Sequence, residues 1–132
     1  MTAIPVRQIC ISRPVHDMPA MLSFYRDALG LPVLFQFGEE DVPAGVMIGL
    51  PGAGTHLEFL RVGPDENCAP PSEQSALVLH LGSEETARET AGSLVAHGFN
   101  ACTPANPYWL DKAVSFRDPA GWPVILSFGP GI

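Results

Sequence analysis

A repeat at a separation of roughly 67 residues sets the strongest limit on what this chain can fold into. Gly30-Leu31, behind one helix-like segment, recurs as Gly98-Phe99 behind another. The turn Pro51–Gly54 ahead of His56-Leu57-Glu58-Phe59 recurs as Asp118–Gly121 ahead of Pro123-Val124-Ile125-Leu126. Each copy reads β-α-β-β-β. The first unit, 5–62, has strands over 7–15, 32–38, 45–50 and 55–62 and a helix over 17–29. The second, 75–129, has strands over 76–81, 99–103, 113–117 and 123–128 and a helix over 83–97. A polar, proline-bearing linker, 63–74, joins them. One helix cannot cover both faces of a four-stranded sheet, so two units pairing around a common cavity are expected, as one α+β domain of 132 residues.

Local signals agree with this partition. Asp17 suits a helix N-cap and Pro19 a first turn, while Met21, Leu22, Phe24, Tyr25 and Leu29 recur at helical spacing up to Gly30. Ser83 suits the second N-cap, with Glu84 and Glu85 where the helix dipole favours them and Gly98 closing the element.

Composition removes several classes of function. Hydrophobic residues are 46% and charged residues 16% of the chain, the reverse of a disordered protein. Seven cations against fourteen acids, a net charge of -7, leave no basic face for a nucleic-acid backbone. No apolar run approaches the roughly 20 residues of a membrane span, and residues 1–15 lack the pattern of a secretory signal. Three cysteines without a C-x-x-C pair argue against a zinc cluster or a disulfide scaffold, which points to a reducing cytoplasm. Nucleophile-elbow, H-E-x-x-H and phosphate-loop motifs are absent, and Gly52-Ala53-Gly54 lies between strands, outside a dinucleotide-binding context.

Strand alternation nominates a site. Side chains at i and i+2 share a face, which groups Glu58 with His56 and Leu60, Ser12 with Cys10, His80 with Val78 and Ala76, and Ser127 with Ile125. The opposite faces, such as Leu57 with Phe59, are apolar and belong under the helices. Ser12, His56, Glu58, His80 and Ser127 are therefore expected to face one concavity. Asn106-Pro107-Tyr108-Trp109 supplies either an aromatic ligand wall, through Tyr108 and Trp109, or a plug for its end. Glu58 serves the pocket as a hydrogen-bond acceptor or counter-charge, or pairs internally with His56 or Arg13. Arg13, on the helix-facing parity, makes an internal salt bridge or binds substrate. His80 contacts ligand or faces water at a strand end. Trp122 reads as surface cover, and Asp118 as turn chemistry alone.

Three motifs together carry a resemblance: Val15-x-Asp17 with Phe24-Tyr25-Arg26-Asp27-x-Leu29-Gly30-Leu31, the strand His56-Leu57-Glu58-Phe59, and Phe116-x-Asp118-Pro119-x-Gly121 with Val124-Ile125-Leu126. In this order they resemble the vicinal oxygen chelate superfamily, which includes glyoxalase I, extradiol dioxygenases and the bleomycin- and fosfomycin-resistance proteins. Val46-Met47-x-Gly49-Leu50-Pro51, the HLEF strand and Asn106-Pro107-Tyr108-Trp109 are similar to a little-characterised branch of it. The resemblance implies two βαβββ units forming a curved half-barrel cavity with the helices outside, and commonly a homodimer. It also implies metal-ligand positions at Cys10, Glu58, Ala76 and Ile125, of which only Glu58 is a usual ligand. The expectation is a cytoplasmic protein that binds a small organic molecule without a metal or other cofactor. One alternative is a divalent-metal-dependent lyase or dioxygenase, with Glu58 among its ligands. Another is a metal-free acid-base enzyme with His56 and Glu58 as catalytic groups.

Overall fold

Asp17 starts the first helix by accepting the Ala20 amide hydrogen at 3.0 Å, with Pro19 in the first turn where no donor is missed. In the structure, a computed structural model describing residues 2–132, this helix α1 (Met18–Leu22) widens into a π-helical turn over Ser23–Ala28. The Leu29 amide donates to the Phe24 carbonyl five residues back, and Gly30, at φ +68°, ends the element. The wider turn coincides with complete burial of two consecutive aromatic residues, Phe24 and Tyr25. Phe24 meets Phe99 of the second unit edge-on at 5.0 Å, while Tyr25 meets Phe59 of its own unit at 5.1 Å. The second helix, α2 (Glu84–Ala96), starts at Ser83, whose hydroxyl accepts the Thr86 amide hydrogen at 3.1 Å.

The strands are β1 (Ile9–Val15), β2 (Val33–Gly38), β3 (Pro43–Leu50), β4 (Thr55–Arg61), β5 (Leu77–His80), β6 (Ala113–Arg117) and β7 (Pro123–Ser127). They form two sheets, ordered β1-β4-β3-β2 and β5-β7-β6. In each, the strand before the helix runs parallel to the last strand of its unit, β1 beside β4 and β5 beside β7, and the remaining neighbours are antiparallel. The α+β repeat read from the sequence is thus the observed architecture. One element differs. Residues 99–103 do not form a strand; only an isolated bridge joins Cys102 to Ser115. Pro104 follows at once, and a residue without an amide hydrogen cannot extend the ladder.

The inner faces of both sheets and the helices share one core that includes Val46, Ile48, Leu57, Phe59, Phe116, Val124 and Leu126. The helical segments pack on these faces and on each other, α2 lying against β6, β7 and the π turn. Ser93 of α2 adds a hydrogen bond to the Ala28 carbonyl at 2.6 Å.

Asp118 ties the units together. Its Oδ1 accepts the Ala120 and Trp122 amides at 2.9 and 3.1 Å, which holds the β6–β7 turn. Its Oδ2 accepts the Tyr25 hydroxyl at 2.7 Å and Arg13 Nη1 at 3.4 Å, both from the first unit. The reading of Asp118 as turn chemistry alone is therefore corrected, because its second oxygen faces the other unit. Arg13 is the internal salt-bridge residue, and its guanidinium lies 4.0 Å from the centre of the Trp122 ring. Trp122 is thus half-buried beneath a cation, where surface cover was expected.

Asp118→Ala leaves a buried guanidinium and a buried phenol without their acceptor. It should cost about 3–5 kcal/mol, read as a shift in the urea unfolding midpoint. Burial pushes the Asp118 carboxyl above the ordinary aspartate range, against the opposing pull of its hydrogen-bond donors and Arg13. The native state then keeps this proton to a higher pH than the unfolded chain does. The stability it contributes is fully present below about pH 4 and is lost as pH rises through the folded value. Measured against Asp118→Asn, which does not titrate there, the wild-type advantage should shrink from about pH 4 to pH 7 in urea titrations.

Candidate functional site

The strand registers set out the open face of the first sheet as three rows. The middle row crosses Phe35 of β2, Met47 of β3, Glu58 of β4 and Ser12 of β1. One flanking row crosses Phe37, Gly45, Leu60 and Pro14. The other crosses Gly49, His56 and Cys10, with the Leu34 side chain lying over Gly49. Side chains of one row share a face because directly paired residues point the same way.

Two glycines shape this surface. A Cβ on Gly45 would fall on the Phe37 ring at 2.2 Å, and one on Gly49 would meet Leu34 at 3.1 Å. The far edge of the Phe37 ring therefore occupies the space a side chain at position 45 would need, which a larger residue there would forbid. On the reverse of the same strands Val46, Ile48, Leu57 and Phe59 are completely buried. The open face instead leaves Phe35 58% and Phe37 42% exposed. Their rings sit 6.4 Å apart.

Ser12 and Glu58 pair here, the serine hydroxyl donating to Oε1 at 2.7 Å. Glu58 has no hydrogen bond to His56 or Arg13 among the described residues, so the internal pairings read from the sequence are replaced by Ser12. The reason is register: Ser12 stands directly beside Glu58, while Arg13 points to the opposite face and is taken by Asp118. His56 is half-buried, with Nδ1 buried and unpartnered among the described residues.

The remaining predicted residues lie on the second sheet. His80 and Ser127 are register partners, joined by a hydrogen bond of 3.0 Å between Nδ1 and Oγ. Asn106 caps a single 3-10 turn, Pro107–Trp109, by accepting the Tyr108 amide at 3.0 Å. That turn lays Trp109 against this face. Trp109 lines a cavity of about 360 Å3 with His80, Tyr108 and Ser127, and a second of about 130 Å3 with Val78 and Ile125. Tyr108 stays 57% exposed, with Lys112 Nζ 4.4 Å above its ring. The predicted residues thus form two separate polar pairs, Ser12–Glu58 and His80–Ser127, one on each sheet. No hydrogen bond joins the pairs.

The positions at which the superfamily places a metal are Cys10 and Glu58 on the open face of the first sheet, and Ala76 and Ile125 beside Trp109 on the second. Two of the four offer no donor atom, and Glu58 has Ser12 on one oxygen. No cluster of three or more His, Cys, Asp or Glu among the described residues is placed to hold a metal ion. These residues do not fit the superfamily's centre, whether supplied by one chain or shared between copies.

Two family profiles match the chain, the YycE-like N-terminal domain over residues 9–60 and the YycE-like C-terminal domain over residues 74–128. The uncharacterized protein YycE of Bacillus subtilis is 30% identical over 125 residues, spanning 95% of this chain and 90% of that protein. The chain belongs to the YycE-like family. A crystal structure of a YycE protein of unknown function from B. subtilis superposes with a TM-score of 0.84 at 30% identity, covering 96% of this chain and 92% of that one. More distant structures share the fold. TnmS3, an antibiotic binding protein from Streptomyces sp. CB03234, has a TM-score of 0.65 at 20% identity, over 95% of this chain and 98% of its own. A glyoxalase-related enzyme from Fulvimarina pelagi has a TM-score of 0.68 at 22% identity, over 92% of this chain and 87% of its own. These neighbours agree with the vicinal oxygen chelate superfamily.

Phe35, Phe37 and Met47 were not nominated from the sequence. Phe35-x-Phe37 and Gly45-x-Met47-x-Gly49 carry the signal, since alternating aromatics facing alternating small residues mark a surface where rings lie across backbone. Because the one side-chain hydrogen bond of Glu58 among the described residues is from Ser12, on an open face, Glu58→Gln should keep the fold and shift unfolding stability by no more than about 1 kcal/mol. Chemical denaturation beside a circular-dichroism spectrum checks this.

Proposed function

We propose that this protein binds a small organic molecule on the concave side of its βαβββ sheets, without a bound metal, as a cytoplasmic homodimer. The observation that carries this reading is the open face of the first sheet. β3 and β4, whose reverse side is buried, and the exposed β2 beside them present Met47, Phe35, Phe37 and Leu34 around the Ser12–Glu58 pair. Apolar and aromatic walls with few placed polar groups are what small-molecule sites consist of. The likeness in fold to an antibiotic binding protein supports the same reading.

Metal independence is supported by the donor set, in which Ala76 and Ile125 stand where ligands would be needed. Dimerisation is supported by the apolar edge strand β2, exposed along its whole length, which a second copy would shield. His80, Tyr108, Trp109 and Ser127 of a second copy would then complete the walls of the site. A reducing compartment suits Cys10, Cys68 and Cys102, all unpaired.

A thermal-shift screen of small organic compounds should yield ligands that raise the melting temperature in proportion to the logarithm of their concentration. Phe35→Ala should reduce those shifts while leaving the unliganded protein folded. The purified protein should carry far less than one transition-metal ion per chain by elemental analysis, and adding zinc, iron, nickel or manganese should leave ligand-induced shifts unchanged. One metal per chain, lost in Glu58→Gln, would promote the metalloenzyme instead. Sedimentation at tens of micromolar should give a dimer, and a monomer there would remove the second copy from the site.

A further inference from the structure

Glu58 is a half-buried carboxylate on an apolar face, and among the described residues neither lysine nor arginine forms an ion pair with it. Its one hydrogen-bond donor is the neutral Ser12 hydroxyl on Oε1. None of the row positions around it carries a basic side chain other than His56, whose Nδ1 is buried. The hairpin joining β2 to β3, at the Phe37 end of this face, is Glu39-Glu40-Asp41. Acidic charge thus stands both in the middle of the face and at its rim, on a chain of net charge -7.

We infer that the open face of the first sheet selects an organic cation: a protonated amine seated on Glu58, attached to a flat apolar body lying over Met47 and the Phe35–Phe37 pair. This rests on the small-molecule reading above and adds the charge and shape of the ligand. The register supplies the dimensions. Glu58 and Phe35 lie in one row with only Met47 between them, two strand spacings or about 10 Å apart. An amine on one end of a fused two-ring body spans that distance. Gly45 makes room for the second ring, because the far edge of Phe37 occupies the space a side chain on β3 would fill there. The carboxylate supplies a charged acceptor, and the rings supply contact area and an electron-rich surface for the bound cation. A carboxylate-bearing ligand of the same shape would meet Glu58 and the acidic rim with like charge, so discrimination comes from repulsion as well as attraction.

The test uses three matched probes, 1-naphthylmethylammonium, 1-naphthylmethanol and 1-naphthoate. They are titrated into the full-length protein while amide chemical shifts are followed by NMR. The ammonium should bind on the order of tenfold tighter than the alcohol, with naphthoate weaker still. Perturbed amides should cluster at Ser12, Met47 and Glu58 and along 33–38. Raising salt should narrow the ammonium preference. In Glu58→Gln the ammonium and the alcohol should bind equally. In Phe35→Ala all three should weaken together with their order preserved. Equal binding of ammonium and alcohol to the wild type, at these same amides, would overturn the cation reading and leave small-molecule binding standing. Ammonium preference that survives Glu58→Gln, or that maps to His80 and Trp109, would overturn the assignment to this face. Failure of every probe to perturb any amide at millimolar concentration would overturn both readings.

Discussion

One buried carboxylate supplies the charged tie between the two units, inside the core they share. Asp118 accepts from the turn it belongs to with one oxygen, and from Tyr25 and Arg13 of the other unit with the second. A buried charge is tolerated only where its lone pairs are filled and a counter-charge is near. Here the second oxygen finds its donors only in the first strand and the first helical segment, so the closing hairpin and the first unit satisfy each other's buried polar groups. The π turn belongs to the same arrangement, because it lets Tyr25 reach Asp118 while Phe24, one residue earlier, packs on Phe99.

That tie accompanies a division of each sheet into a helix-facing side and an open side. With Arg13, Leu57 and Phe59 committed to the core, alternation turns Ser12, His56 and Glu58 outward together. The two sheets then diverge in how they use this side. The first leaves it open, with aromatic rings laid over Gly45 and Gly49. The second lays its own Trp109 against it, carried on the turn that precedes β6. A symmetric repeat in the sequence thus becomes an asymmetric pair of surfaces.

The fold is that of proteins which bind or transform small molecules, but the chemistry here is narrower. A divalent ion needs several converging donors. The positions that would supply them hold a cysteine, a glutamate occupied by Ser12, an alanine and an isoleucine. The recognition surface we propose relies instead on one carboxylate for direction and on the rings for contact area.

Much of the architecture was legible in the amino-acid order alone. The repeat, the capping residues Asp17 and Ser83, the glycines that close both helices and the inward parity of Leu57 and Phe59 all depend on neighbours within a few positions or on simple periodicity. The face on which Ser12, His56 and Glu58 stand follows from the same period of two. The sequence by itself could not show whom these residues touch. Glu58 chose Ser12 over His56 or Arg13 because β1 and β4 align in one particular parallel register. Asp118 reached across 93 positions to Tyr25 because the units pack there. The expected strand at 99–103 is reduced to an isolated bridge at Cys102, and Pro104 denies the ladder a donor beyond it. Periodicity is a property of the chain and can be read along it. Register, inter-unit contact and the filling of a cavity are set only when distant segments meet, so they belong to the tertiary structure.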